Sequence, residues 1–176
     1  LRAEGVPLQD PEVVAVTGWT TDELAGGLDA AEAEGRVQGR YALVTLLVGV
    51  NNQYRGRDLD GYRDELRTLL ARAVAFAGGE ASRVVVVSIP DWGVTPFAAR
   101  TPSGAVRDRD AIAQAIDAFN AVAREEAAAV GARWVDITPL SRTQGAQVVD
   151  DALHPDGAAY AAWTDLVLPA ARAALR

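Results

Sequence analysis

Two stretches of this chain, Tyr41 to Val48 and Val84 to Ile89, are apolar at nearly every position and rich in β-branched residues. A strand with one wet face alternates apolar and polar residues, so such continuity points to parallel strands covered on both faces. Val13–Val16 and Trp134–Ile137 are two further strand candidates. Helical periodicity lies between and after them. Leu24, Leu28 and Ala31 mark one helix face, and Tyr62, Leu66, Leu69, Ala73 and Phe76 a second. Ile112, Ile116, Phe119, Ala123 and Val130 mark a third, and Tyr160, Trp163, Val167, Ala170 and Ala174 a fourth. Strand–helix alternation of this kind predicts an α/β three-layer sandwich built on a mainly parallel sheet, as one domain over residues 1–176. Gly35, Gly78-Gly79 and Gly131 stand where helix ends favour glycine, and Pro169 is expected to kink the last helix or end it early.

Bulk properties narrow the function. A hydrophobic share of 49% with 23% charged residues describes an ordinary globular chain. The net charge of −7 argues against nucleic acid, whose phosphates need a basic face. No apolar run reaches membrane-spanning length, since Gly49 and Asn51 break the longest. Without cysteine and with a single histidine, disulfides, thiolate sites and histidine-rich metal clusters are excluded, and no cofactor is expected. All 17 basic residues are arginine, beside abundant alanine, a bias expected of a GC-rich bacterial genome; either a cytoplasmic or a secreted location fits. There is no methionine, and Leu1-Arg2-Ala3-Glu4-Gly5 reads as the glycine-capped end of a helix, so a preceding segment is expected.

Ligands of open α/β sheets bind beyond the carboxyl ends of the strands. Thr17-Gly18-Trp19-Thr20 follows the first strand candidate, and Gly49-Val50-Asn51-Asn52 the second. Pro90 to Pro96 follows the third, and Asp151-Ala152-Leu153-His154 the fourth. His154 is the only imidazole, three residues after an acid and directly before Pro155-Asp156-Gly157, a helix start. An imidazole whose far nitrogen meets a carboxylate is a general base; a histidine at a helix entry bonded to backbone is the plainer alternative. Gly18 and Asn51 are equally readable as turn formers. Trp92, Val94 and Phe97 are candidates for an apolar wall against substrate or for core packing beneath their loop. Arg55 and Arg57 read as solvated arginines or as partners of an anionic group.

Taken together, these blocks resemble the SGNH (GDSL-type) hydrolases, from about Val13 to the C-terminus. The resemblance implies a flavodoxin-like sheet and hydrolysis of a carboxylic ester on a small or lipid-like substrate. Under it Gly18 and Asn51 supply the oxyanion donors, His154 is the base, and Asp151 (not Asp150) orients it. Asn52 departs from the aspartate usual after the oxyanion asparagine, which bears on the hydrogen bonding of that turn.

The same resemblance exposes a gap. The family's nucleophile lies in a Gly-Asp-Ser block after the first strand of the fold, and that block is absent here. Only Ser82, Ser88, Ser103 and Ser141 are present, and none stands where the nucleophile belongs; Ser88 is expected to bond backbone near Ile89-Pro90. The family's strand order places the absent strand between Val13–Val16 and Tyr41–Val48. These two are therefore expected to close up, or to be joined by another segment, because unpaired central strands are costly. The chain then reads as part of a longer serine esterase, its own upstream segment a partner beside the ester. The alternative is an inactive α/β remnant that binds without hydrolysing. A dinucleotide-binding domain is a poor third reading, since no glycine-rich phosphate loop follows a strand.

Overall fold

The four valines Val84–Val87 are the central strand of a parallel three-stranded sheet, and all four are buried. A computed structural model describes residues 1–176 apart from 3, 4, 38, 100 and 102. Its strands are β1 (Val44–Leu46), β2 (Val84–Val87) and β3 (Arg133–Val135), ordered β1-β2-β3. Val44 stands opposite Val84, and Val87 opposite Val135. Because side chains alternate along a strand, Val84 and Val86 enter one core while Val85 and Val87 enter another. That division explains why the run is apolar throughout.

The larger core lies beneath α1 (Thr21–Ala33), α3 (Leu59–Phe76) and α4 (Arg109–Val130), where Leu66, Leu70, Ile116 and Phe119 meet the sheet. The smaller one lies beneath α6 (Gly157–Ala174), through Ile137, Trp163 and Ala174. Two short helices, α2 (Val50–Tyr54) and α5 (Thr138–Ser141), follow β1 and β3. Side chains start the long helices: Asp58, Asp108 and Asp156 each accept the amide N–H three residues on. Gly131 ends α4 at φ +80°, a left-handed conformation that costs glycine little. Between α3 and α4, Glu126 accepts from Arg63 at 2.5 Å and Arg67 at 2.8 Å. These guanidinium bonds hold its carboxyl below the usual carboxylate range.

Three expectations need correction. Residues Val13–Val16 form no strand, and Val13 and Val16 are exposed. Among the described residues no backbone ladder reaches them, and an extended segment without a ladder is not a strand. The segment has neither closed onto β1 nor gained a filler: residues 11–15 and 41–47 face each other across a cavity of about 550 Å³. Thr45 and Leu47 are exposed on that side, so solvent meets the groups a ladder would occupy. Pro169 does not end α6, which continues to Ala174. Its missing N–H would have served Asp165, four residues back, which is exposed and open to solvent. The proposed helix end at Leu1–Gly5 includes residues 3 and 4, outside the described set. Of its flanks, Val6 N–H donates to Leu1 O at 3.1 Å and Gly5 N–H to Arg2 O at 2.9 Å.

Candidate active site

The loop after Gln147 turns back on itself before α6. Val148 and Pro155 form an antiparallel bridge, and Val149 N–H donates to His154 O at 2.9 Å. At the tip, Ala152 takes φ +61°. That left-handed residue lets Asp151 Oδ1 accept the N–H of both Leu153 and His154, each at 2.8 Å. Asp151 Oδ2 then meets His154 Nδ1 at 2.5 Å. These bonds draw the Asp151 carboxyl down to about 2, the His154 amide contributing most. His154 is half exposed, and among the described residues its Nε2 has no protein partner. A carboxylate on Nδ1 leaves Nε2 as the nitrogen that takes a proton.

The second group of residues is tied to β1. Gly49 begins α2 at φ +125°, and a Cβ there would lie 2.7 Å from the Tyr62 hydroxyl, so only glycine lets the chain turn this close to α3. Tyr62 itself is buried, and burial pushes its phenol pKa up. The turn presents Asn51, whose Nδ2 donates to Trp19 O at 2.9 Å, leaving its other N–H. Gly18, at φ +91°, has its carbonyl held by Arg55 at 2.6 Å, and among the described residues no acceptor takes its N–H. Arg55 also pairs with Glu23 at 3.1 Å and Arg57 with Asp22 at 3.2 Å, so both brace the Gly18 loop.

Asn52 is fully buried in a network that accounts for its departure from aspartate. Its Oδ1 accepts from Thr21 N at 3.1 Å, while its Nδ2 donates to Thr21 Oγ1 at 2.6 Å and lies 3.5 Å from Glu65 Oε2. The Thr21 hydroxyl donates to the same Glu65 carboxylate. Glu65 supplies the negative charge, and the amide at 52 can donate to it as an aspartate could not.

An aromatic cluster connects the two groups. Trp92 Nε1 donates to Gln53 Oε1 at 2.7 Å, and the Trp92 ring lies 5.2 Å from Tyr54 and 6.2 Å from Phe97. Phe97 N–H donates to Ala152 O at 3.0 Å, beside the Asp151–His154 turn. Arg107 covers the cluster, 4.4 Å from the Phe97 centroid. Trp92 is therefore core, Phe97 half-buried rim, and Val94 lines a cavity of about 40 Å³ together with Trp92, Leu153 and Trp163. That cavity is no larger than a water or two. Sequence reasoning missed Gln53, Tyr54 and Arg107. Tyr54 was findable, because it lies three residues after Asn51 on one helix face.

The serines lie elsewhere. Ser88 Oγ donates to Asp136 at 2.9 Å and accepts from Ile137 N and Thr138 N, a correction to the Ile89-Pro90 expectation. Ser141 is buried against Asp91 N and Thr138 O. Ser103 pairs with Thr101, and Ser82 lies in a tight turn ahead of β2.

Comparison with known proteins bears on the family and the fold. The GDSL-like lipase/acylhydrolase family model matches residues 1–162. An α/β hydrolase from the metagenome of Lake Arreo, Spain, superposes with a TM-score of 0.65 at 18% identity, over 90% of this chain and 70% of that one. An acetylxylan esterase from Geobacillus stearothermophilus gives 0.60 at 18%, over 88% and 68%. A lipase/acylhydrolase from Enterococcus faecalis gives 0.59 at 19%, over 86% and 70%. No protein of curated function matches the chain. At these identities the superpositions establish a shared fold, and the family match over most of the length establishes kinship: the chain belongs to the GDSL-like lipase/acylhydrolase family.

Proposed function

We propose that this protein hydrolyses carboxylic esters by a Ser-His-Asp mechanism, with the serine supplied by a segment outside these 176 residues. The observation that carries the reading is the Asp151–His154 pair at 2.5 Å, with Nε2 open on the exposed side. His154 Nε2 takes the serine proton as the hydroxyl oxygen attacks the ester carbonyl, and the ionised Asp151 stabilises the imidazolium. The N–H of Gly18 and the second N–H of Asn51 donate to the tetrahedral oxyanion. The imidazolium then protonates the departing alcohol, leaving an acyl-enzyme that water cleaves by the same steps. Phe97 and Tyr54, rather than Trp92 and Val94, form the apolar wall.

In a protein extended by a Gly-Asp-Ser segment, p-nitrophenyl acetate is turned over. His154→Ala lowers kcat/KM by about 10²–10⁴-fold. Equal turnover without His154 would refute the triad. One observation favours the second reading, a domain that binds without hydrolysing: among the described residues no hydroxyl bonds His154. Saturable ester binding by the extended protein with no turnover would select it.

A further inference from the structure

Arg107 holds no carboxylate among the described residues, in a chain where acidic side chains outnumber arginines 24 to 17. Arg55 and Arg57 each pair with one acid, and Arg72 and Arg142 with two apiece. The Arg107 guanidinium instead lies over three rings, 4.4 Å from the Phe97 centroid, 5.3 Å from Trp92 and 5.9 Å from Tyr54. Its Nη1 donates to Phe97 O at 3.4 Å, and among the described residues Nε and Nη2 have no acceptor. The acid next to it in sequence, Asp108, is turned to Ala111 N at the start of α4. Tyr54 is 49% exposed and Phe97 half-buried, so the rings beneath the guanidinium are open to a ligand. They also join both halves of the site. Tyr54 belongs to α2, the helix of Asn51, and Phe97 N–H bonds Ala152 O within the Asp151–His154 turn.

We propose that Arg107 sets substrate choice, for an ester whose acyl chain lies on Tyr54 and Phe97 and ends in a carboxylate held by the guanidinium. The reaction rests on the esterase reading above; the binding of the carboxylate does not. A guanidinium stacked on rings keeps its N–H donors in its own plane, where a carboxylate accepts two of them side by side. An arginine that only fastens a loop spends those donors on backbone. Arg133 does so, giving Nε to Ser82 O at 2.8 Å and Nη2 to Ala173 O at 3.1 Å. In Arg107 the same two nitrogens are unspent among the described residues. A single negative charge suits the place better than the two of a phosphate monoester. The ionised Asp151 stands at the adjoining turn, and the chain carries a net charge of −7.

Mono-p-nitrophenyl adipate and its methyl ester differ only in the terminal charge. In the protein extended by a Gly-Asp-Ser segment, the acid is expected to be turned over with kcat/KM about tenfold or more above that of the methyl ester. Arg107→Gln removes that preference and Arg107→Lys keeps part of it. A residue that only fastened its loop would instead change both esters together. Binding is read separately, in the 176-residue chain, with monomethyl adipate as the probe. It is expected to shift the indole N–H resonance of Trp92, the ring beneath the guanidinium, saturably and with about tenfold or more higher affinity than dimethyl adipate. Equal kcat/KM for acid and methyl ester, a preference that survives Arg107→Gln, or a Trp92 resonance that ignores monomethyl adipate or answers both probes alike would overturn the proposal. Binding of monomethyl adipate that needs Arg107, with no turnover of any ester, would uphold the carboxylate site and contradict the Ser-His-Asp reading.

Discussion

Ala152 holds a conformation that L-residues avoid at a cost of roughly 1–2 kcal/mol. The bonds made around it explain why it persists: Asp151 gathers two amides and the imidazole, and Phe97 N–H holds the Ala152 carbonyl. Strain of this kind collects at functional sites. Since the folded Asp151 carboxyl lies at about 2, below its ordinary 3.8, its contribution to the turn is complete above pH 3.8. That contribution is lost as pH falls through about 2. Between pH 5 and about pH 3 the Leu153 and His154 amide resonances should therefore keep their positions, moving again only below about pH 3. Movement between pH 5 and 4 would show that the carboxylate is not so held. The D-x-x-H spacing was legible in the sequence; the left-handed Ala152 was not, because nothing in an alanine announces a positive φ.

At the scale of elements, β2 and the long helices were readable because burial on two faces or one stripe writes its period into the residues. Short pieces carry no period. α2 and α5, with five and four residues, are held by a buried Tyr62 and by a Ser88–Thr138 network that join distant parts of the chain. Whether Pro169 ends α6 is likewise not written in the sequence, since that depends on whether the orphaned carbonyl meets solvent. Pro169→Ala should lengthen the urea midpoint of unfolding, for a gain of about 1–3 kcal/mol, by restoring an amide donor at an exposed position. A loss of stability would mean that the ring packs usefully where it stands.

For the whole molecule, a parallel sheet covered on both faces was legible in the sequence, while residues 11–16 were not. Their valines satisfy β propensity, yet a strand is a relation between two segments, and no described segment pairs with this one. The proposed hydrolysis rests on the Asp151–His154 pair, which forms within a single turn of the loop before α6. The most direct test of that account is labelling by a fluorophosphonate, read by intact mass, of the protein joined to a serine-bearing upstream strand. One adduct per chain on the serine, with labelling slowed about 10²-fold or more by His154→Ala, is the result the account predicts. An adduct formed equally fast without His154, or no adduct at all, would contradict it.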